Sequence, residues 1–231
     1  MSDSSAHGFA PALFRFLRDL RKNNDREWFA AHKDVYERDV REPTLAFIAA
    51  FAPTLRKISP HLEADARPVG GSMIRLHRDV RKSQDKRPYR THVGIHFRYA
   101  GAAPGQAPAL YLHLEPGDVL ASAGIWRPDR ARLSDVRDAI EASPAAWRRA
   151  VGGREFGRRW AFWGESLARV PRGYDPEHPF AEDLKRKSFV AIASFGEREA
   201  CADEFAAHLE RAWRATAPLM RFLTQAIDLA W

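Results

Sequence analysis

The sequence predicts an α+β fold: an antiparallel sheet, built on a central meander over about residues 71–125 with later strands added, covered by N-terminal and C-terminal helices. Three observations carry this. Apolar residues recur at helical spacing as far as Leu55. After Gly70-Gly71 the period changes to two and holds to Ile125. A long helical stripe then closes the chain.

Leu13, Phe14, Leu17 and Leu20 mark the first amphipathic helix. Asn24, with Glu27 three residues on, reads as the N-cap of a second helix, with Trp28, Val35 and Tyr36 inward and Phe29 and His32 flanking. Pro43 opens a third, carrying Phe47, Ile48, Phe51 and Leu55. Strands follow at Ile74 and Leu76, at Val93, Ile95, Phe97 and Tyr99, and at Leu110, Leu112 and Leu114. A hairpin loop over 100–108 joins the second and third strands, and Val119 to Ile125 adds a fourth. A short helix begins near Ser134-Asp135, and Ser143-Pro144 starts another. Residues 154–170, with Phe156, Trp160, Phe162 and Trp163, fit a twisted hairpin better than a helix. Pro179 to Lys187 reads as helix and Phe189 to Phe195 as strand. Cys201, Phe205, Leu209, Trp213, Met220, Leu223 and Ile227 share one stripe of a long final helix, kinked at Pro218.

Composition bounds the function classes. At 231 residues, 45% hydrophobic, the chain buries a substantial core and is neither fibre nor disordered tail. No apolar run approaches a membrane span, and no signal peptide is evident. The single Cys201 forms no intramolecular disulfide and reads as core, so a reducing, cytoplasmic location is expected. Neither a nucleophile elbow nor a phosphate-binding glycine loop is present. The net charge of +7 rests on 30 Arg against 7 Lys, a bias that GC-rich codons produce without any ligand.

That charge is nevertheless concentrated. From Arg75 to His92 the chain carries seven Lys/Arg against two Asp, a local +5. Arginines on a loop stiffened by Pro88 suit bidentate recognition of phosphate or carboxylate. Arg75, Arg78, Arg81, Lys86 and Arg90 are therefore the candidate anion ligands. Asp79 and Asp85 are placed either to orient those guanidiniums or to exchange protons. The competing reading is an internal Arg–Asp lattice that pins the loop to the sheet.

Strand geometry adds a second constellation. Pairing Tyr99 with Leu110 sets His96 opposite His113, Arg98 opposite Tyr111 and Gly94 opposite Glu115. One polar face then gathers Arg75, His77, His92, His96, His113 and Glu115. Histidines with a carboxylate suit zinc or iron, and equally general acid–base work beside an anion clamp. No HExxH or comparable fixed spacing is present, so no metal and no cofactor is assigned.

Three stretches carry a resemblance: Asn23-Asn24-Asp25-Arg26-Glu27-Trp28-Phe29, the cassette Arg75–His92, and Gly173-Tyr174-Asp175 with His178-Pro179 and Leu184-Lys185-Arg186-Lys187. Together they resemble the conserved hypothetical proteins of domain of unknown function family 2461, over roughly residues 9–228. Lys82 departs from the pattern, which leads one to expect an aromatic there. The resemblance implies one domain, taken as residues 9–231 after a disordered 1–8, and implies no reaction.

The leading expectation is a site for a phosphorylated or other anionic small ligand at the Arg/His/Asp cassette. Whether it is an enzyme is left open; the candidate catalytic groups are His77, Asp79, Asp85, His96 and His113, with His92 beside them. One alternative is a nucleic-acid-binding module with Tyr89 and Tyr99 flanking a basic groove. Another is a structural or partner-binding domain whose cassette is an internal salt-bridge lattice. No membrane partner is expected, and no oligomeric state is assigned.

Overall fold

In the computed structural model, which describes residues 7–103 and 105–231, Pro11 opens helix α1 (Pro11–Lys22) at a position where its missing N–H costs nothing. Leu13, Phe14, Phe16, Leu17 and Leu20 form its buried stripe. Of the N-terminal stretch expected to be disordered, 1–6 lie outside the described residues, as does residue 104 of the hairpin loop. Phe9 is already anchored, its N–H donating to the Ala200 carbonyl at 2.8 Å.

The next helix, α2 (Arg26–Ala31), is capped by Asp25, whose carboxylate accepts from the Trp28 N–H at 2.8 Å. The expected cap, Asn24, is spent elsewhere, as described below. Phe29, not Trp28, is the buried residue of this helix. A single turn α3 (Lys33–Tyr36) runs through a π-helical turn, Glu37–Arg41, into α4 (Glu42–Ile58). The buried side of α4 carries Phe47, Ile48, Phe51 and Leu55, as the spacing predicts.

Six strands make one antiparallel sheet: β1 (Leu62–Glu63), β2 (Val93–Tyr99), β3 (Ala109–Glu115), β4 (Asp118–Ile125), β5 (Ala161–Trp163) and β6 (Phe189–Phe195), in the order β1-β2-β3-β4-β6-β5. Around them lie α5 (Arg130–Ala142), α6 (Pro144–Val151), α7 (Arg154–Arg159), α8 (Ala181–Leu184), α9 (Glu197–Ala200), α10 (Phe205–Ala215) and α11 (Ala217–Gln225). One sheet face, from Val93, Ile95 and Phe97 through Leu110, Leu112 and Leu114 to Ala191 and Ala193, is buried. Against it pack α1 on β3, and α10 and α11 on β4. Phe51, Phe97 and Trp213 meet in its centre, each ring 5.7 Å from the other two. Among the described residues the buried apolar side chains, Val190 apart, form one cluster.

Several expectations are corrected. The strand expected at Ile74 and Leu76 is an irregular arm with only isolated bridges, Met73 to Ile95 and His77 to Tyr89. Residues 154–159 are helix, with Phe156 inward, and only 161–163 form a strand. The helix expected over 179–187 is the single turn 181–184. The last helix is two: Pro218 lies in the first turn of α11 and starts a new helix rather than kinking an old one.

The β2–β3 register is also corrected. Phe97 pairs with Leu110 and Gly94 with His113, two residues away from the expected pairing. A slip of two keeps every side chain on its face. On the other edge of β2, Arg98 and Tyr99 pair with Glu63 and Leu62 of β1. Gly94 is needed in this register, because a Cβ there would stand 2.8 Å from the Tyr111 hydroxyl.

Candidate functional site

The cassette folds as a hairpin-like excursion from the edge of β2. Its entry runs beside that strand, with Ile74 N–H donating to Gly94 O and His96 N–H to Ser72 O, both at 2.8 Å. It then doubles back, Arg78 N–H donating to Pro88 O and Arg90 N–H to Leu76 O. Asn24 locks the returning arm. Its amide donates to Tyr89 O and its carbonyl accepts from Tyr89 N–H, both at 3.0 Å, as a neighbouring strand would. Tyr89 is buried and stacks on Phe29 at 4.2 Å. Two of the stretches that carry the resemblance, Asn23–Phe29 and the cassette, thus interlock.

Most of the cassette's cations are already engaged. Arg78 reaches Asp85 at 2.6 Å and the Arg87 carbonyl at 3.2 Å. Arg87 grips Asp85 through Nε and a terminal nitrogen, and Arg81 grips Asp79 in the same bidentate way at 2.9 and 2.6 Å. Lys86 donates to the Val80 carbonyl. Hydrogen bonds from Arg81 hold the Asp79 carboxyl below its usual range, and those from Arg87 and then Arg78 do the same to Asp85. Carboxyls so held are poor proton donors near neutral pH. His77 is exposed and packs edge-on against Tyr89 of the arm and Phe29 of α2, at 4.9 and 5.8 Å, away from the sheet histidines. Among the described residues Arg75 makes no ion pair.

A different group converges where β2 and β3 begin and end. His92 and His113 have ring centroids 4.3 Å apart. His113 Nε2 lies 3.3 Å from Glu115 Oε2, and His113 Nδ1 lies 3.2 Å from the Tyr111 hydroxyl. Thr91 donates to the other Glu115 oxygen at 2.8 Å. One donor atom from each of His92, His113 and Glu115 falls within a 4.8 Å span. Tyr111, His113 and Glu115 alternate along β3 and so share one face. His96 is on that face too, opposite Tyr111 and edge-on to it at 6.2 Å, but outside the His92–His113–Glu115 group.

Burial governs the protonation of this group. Desolvation, with His113 and Arg90 adding to it, lowers the His92 pKa to about 4. Desolvation, then Arg98, lowers His96 to about 4. Burial raises Tyr111 to about 12, so its hydroxyl keeps its proton. Burial pushes the Glu115 carboxyl up, but hydrogen bonds from Thr91 and His113 outweigh this and leave it below its ordinary value. At neutral pH the face therefore offers a neutral His92, an ionised carboxylate and a phenol. Beside them Arg90 buries its Nε with no hydrogen-bond partner among the described residues.

Tyr111 and Thr91 are members that the sequence reading passed over. The i, i+2, i+4 run Tyr111-His113-Glu115 was the available signal for Tyr111; Thr91 gave none, because its role depends on the register.

Among the described residues, fold and face define an α+β protein whose antiparallel sheet buries one side under helices and gathers His, Glu and Tyr at one end of the other, with an arginine-rich arm leaving the edge of β2. The chain belongs to the family described as "Conserved hypothetical protein (DUF2461)", whose model matches residues 12–222. A search among curated proteins gave no match.

Proposed function

We propose that the polar end of the sheet, from Arg90 to Glu115, binds a small anionic ligand such as a phosphate or carboxylate. The supporting observation is the buried, unpartnered Nε of Arg90. A guanidinium whose Nε is shut away from water without a partner carries a desolvation cost that an anion near the group offsets. Arg78, Arg81 and Arg87 have carboxylates already, so they serve this reading as scaffold, and Arg90 supplies the positive charge.

The internal neutralisation of the cassette weighs against the nucleic-acid alternative, which needs several cations facing outward. No helix among the described residues is long and apolar enough to cross a membrane. We take the protein to be cytoplasmic, on its lone Cys201, and residues 9–231 to be one domain, on the continuity of the core.

The test is thermal shift with inorganic phosphate, sulfate and a panel of mono- and dicarboxylates. At least one should raise the melting temperature of the wild type, and of Arg81→Gln, but not of Arg90→Gln. An equal response in Arg90→Gln would refute the reading. Arg90-independent binding of a single-stranded oligonucleotide that collapses with salt would favour the nucleic-acid alternative instead.

A further inference from the structure

We propose that His92, His113 and Glu115 bind a divalent transition-metal ion of zinc's class, leaving a coordination position open beside Arg90. The proposal goes beyond the anion reading and needs only the three donors.

The geometry is close to what such an ion requires. Donors around a tetrahedral ion with bonds of about 2.1 Å stand about 3.4 Å apart. The edge between His113 Nε2 and Glu115 Oε2 already measures 3.3 Å. All three donors lie within 4.8 Å, so the other edges close by at most roughly 1.4 Å, a small turn of the His92 ring. Two imidazoles and one carboxylate suit zinc or ferrous iron, whereas magnesium and calcium take oxygen ligands.

The neighbours hold these ligands as metal ligands are usually held. Tyr111 sits on the far nitrogen of His113, and Thr91 on the far oxygen of Glu115. Without metal, the Nε2–H tautomer of His113 satisfies both contacts by donating from Nε2 to Glu115 and accepting from Tyr111 at Nδ1. With metal, Nε2 must present its lone pair, and the proton moves to Nδ1. Tyr111 then turns its hydroxyl and accepts. A phenol serves both tautomers, whereas a carboxylate or a backbone amide at that place would serve only one. No net proton is released in the exchange.

A plain hydrogen-bonded strand end explains His113 and Glu115 but not His92. That ring is half-buried, 4.3 Å from His113, and makes no hydrogen bond of its own among the described residues. Two neutral imidazoles and one carboxylate leave a divalent ion with a net charge of +1. A small anion at the open position balances it, and Arg90 stands where it would hold that anion's other atoms.

The experiment is calorimetric titration of the untagged full-length chain, stripped with a chelator, with Zn(II) alone, followed by Co(II) absorption spectroscopy. One zinc per chain should bind, raising the melting temperature by about 5–10 °C at a hundredfold excess over the dissociation constant. His92→Ala and Glu115→Gln should each weaken binding more than about tenfold, and Tyr111→Phe by about 10–100-fold with the stoichiometry kept. Cobalt should show d–d bands that His92→Ala loses. Arg90→Gln should still bind zinc while losing its anion response, which separates the two proposals. Circular dichroism of each variant excludes unfolding, and for any variant that fails it Tyr111→Phe decides. Less than about 0.2 equivalents bound by the wild type, or equal binding by wild type, His92→Ala and Glu115→Gln, would overturn the proposal.

Discussion

Replacing Asn24 with Ala removes both hydrogen bonds that tie Tyr89 to the start of α2. Tyr89 is only 5% exposed, so its N–H and C=O are left facing the lost side chain with little water to replace it. Each bond contributes about 1 kcal/mol net, and an unsatisfied buried group costs about 1–3 kcal/mol. Partial relaxation brings the expected loss to about 2–4 kcal/mol. For a chain of this size that lowers the melting temperature by roughly 5–15 °C. Urea unfolding followed by tryptophan fluorescence reads it as a shift in midpoint at constant slope. Asp25→Ala is the internal control: it removes only the helix cap at Trp28, worth about 1 kcal/mol. If Asn24→Ala costs under about 1 kcal/mol, or no more than Asp25→Ala, the idea that Asn24 clamps the cassette is wrong.

Other predictions follow from the same contacts. His92 and His96, each near pKa 4 when folded, bind protons more weakly than in the unfolded chain, so stability should fall as pH drops from about 6.5 to 4. Two-dimensional NMR should place both titrations near 4; ordinary values near 6.5 would refute the burial argument. Asp85→Asn should lower the melting temperature more than Asp79→Asn, because Asp85 holds two guanidiniums and Asp79 one, and the gap should shrink in 1 M salt. A gap that persists in high salt would point to a non-ionic role for Asp85. Gly94→Ala should cost about 1–3 kcal/mol and displace Tyr111, since the new methyl meets the phenol; a neutral result would mean the β2–β3 pairing differs.

The sequence disclosed faces better than partners. Val93, Ile95 and Phe97 alternate with His92, Gly94 and His96, and that alone assigns them to opposite sides of β2. The pattern repeats every two residues, so it accepts the expected register and the observed one equally. What favours the observed one is not periodic: it is the fit of the Tyr111 ring over Gly94, where a Cβ would meet the hydroxyl at 2.8 Å. With the register shifted, His113 meets Gly94 and not His96, and the histidine that joins it is His92. The cassette was legible as a charge anomaly, and its internal lattice followed from having Asp79 and Asp85 within reach. Asn24 misled because a cap motif is local, while its true partner, Tyr89, is 65 residues away. Residues 154–170 misled because Phe156, Trp160, Phe162 and Trp163 suggested strand alternation, whereas 154–159 is helix with Phe156 inward and only 161–163 is strand.

The central claim is that chemistry resides at the His92–His113–Glu115 end of the sheet and not in the exposed arginine loop. Crystals grown with zinc and inorganic phosphate, measured across the zinc absorption edge, test it most directly. One anomalous peak is expected about 2.1 Å from His113 Nε2, bonded to His92 and Glu115, with phosphate between it and Arg90. A peak elsewhere, or phosphate held by Arg78 and Arg81 with no ion between the histidines, would contradict it.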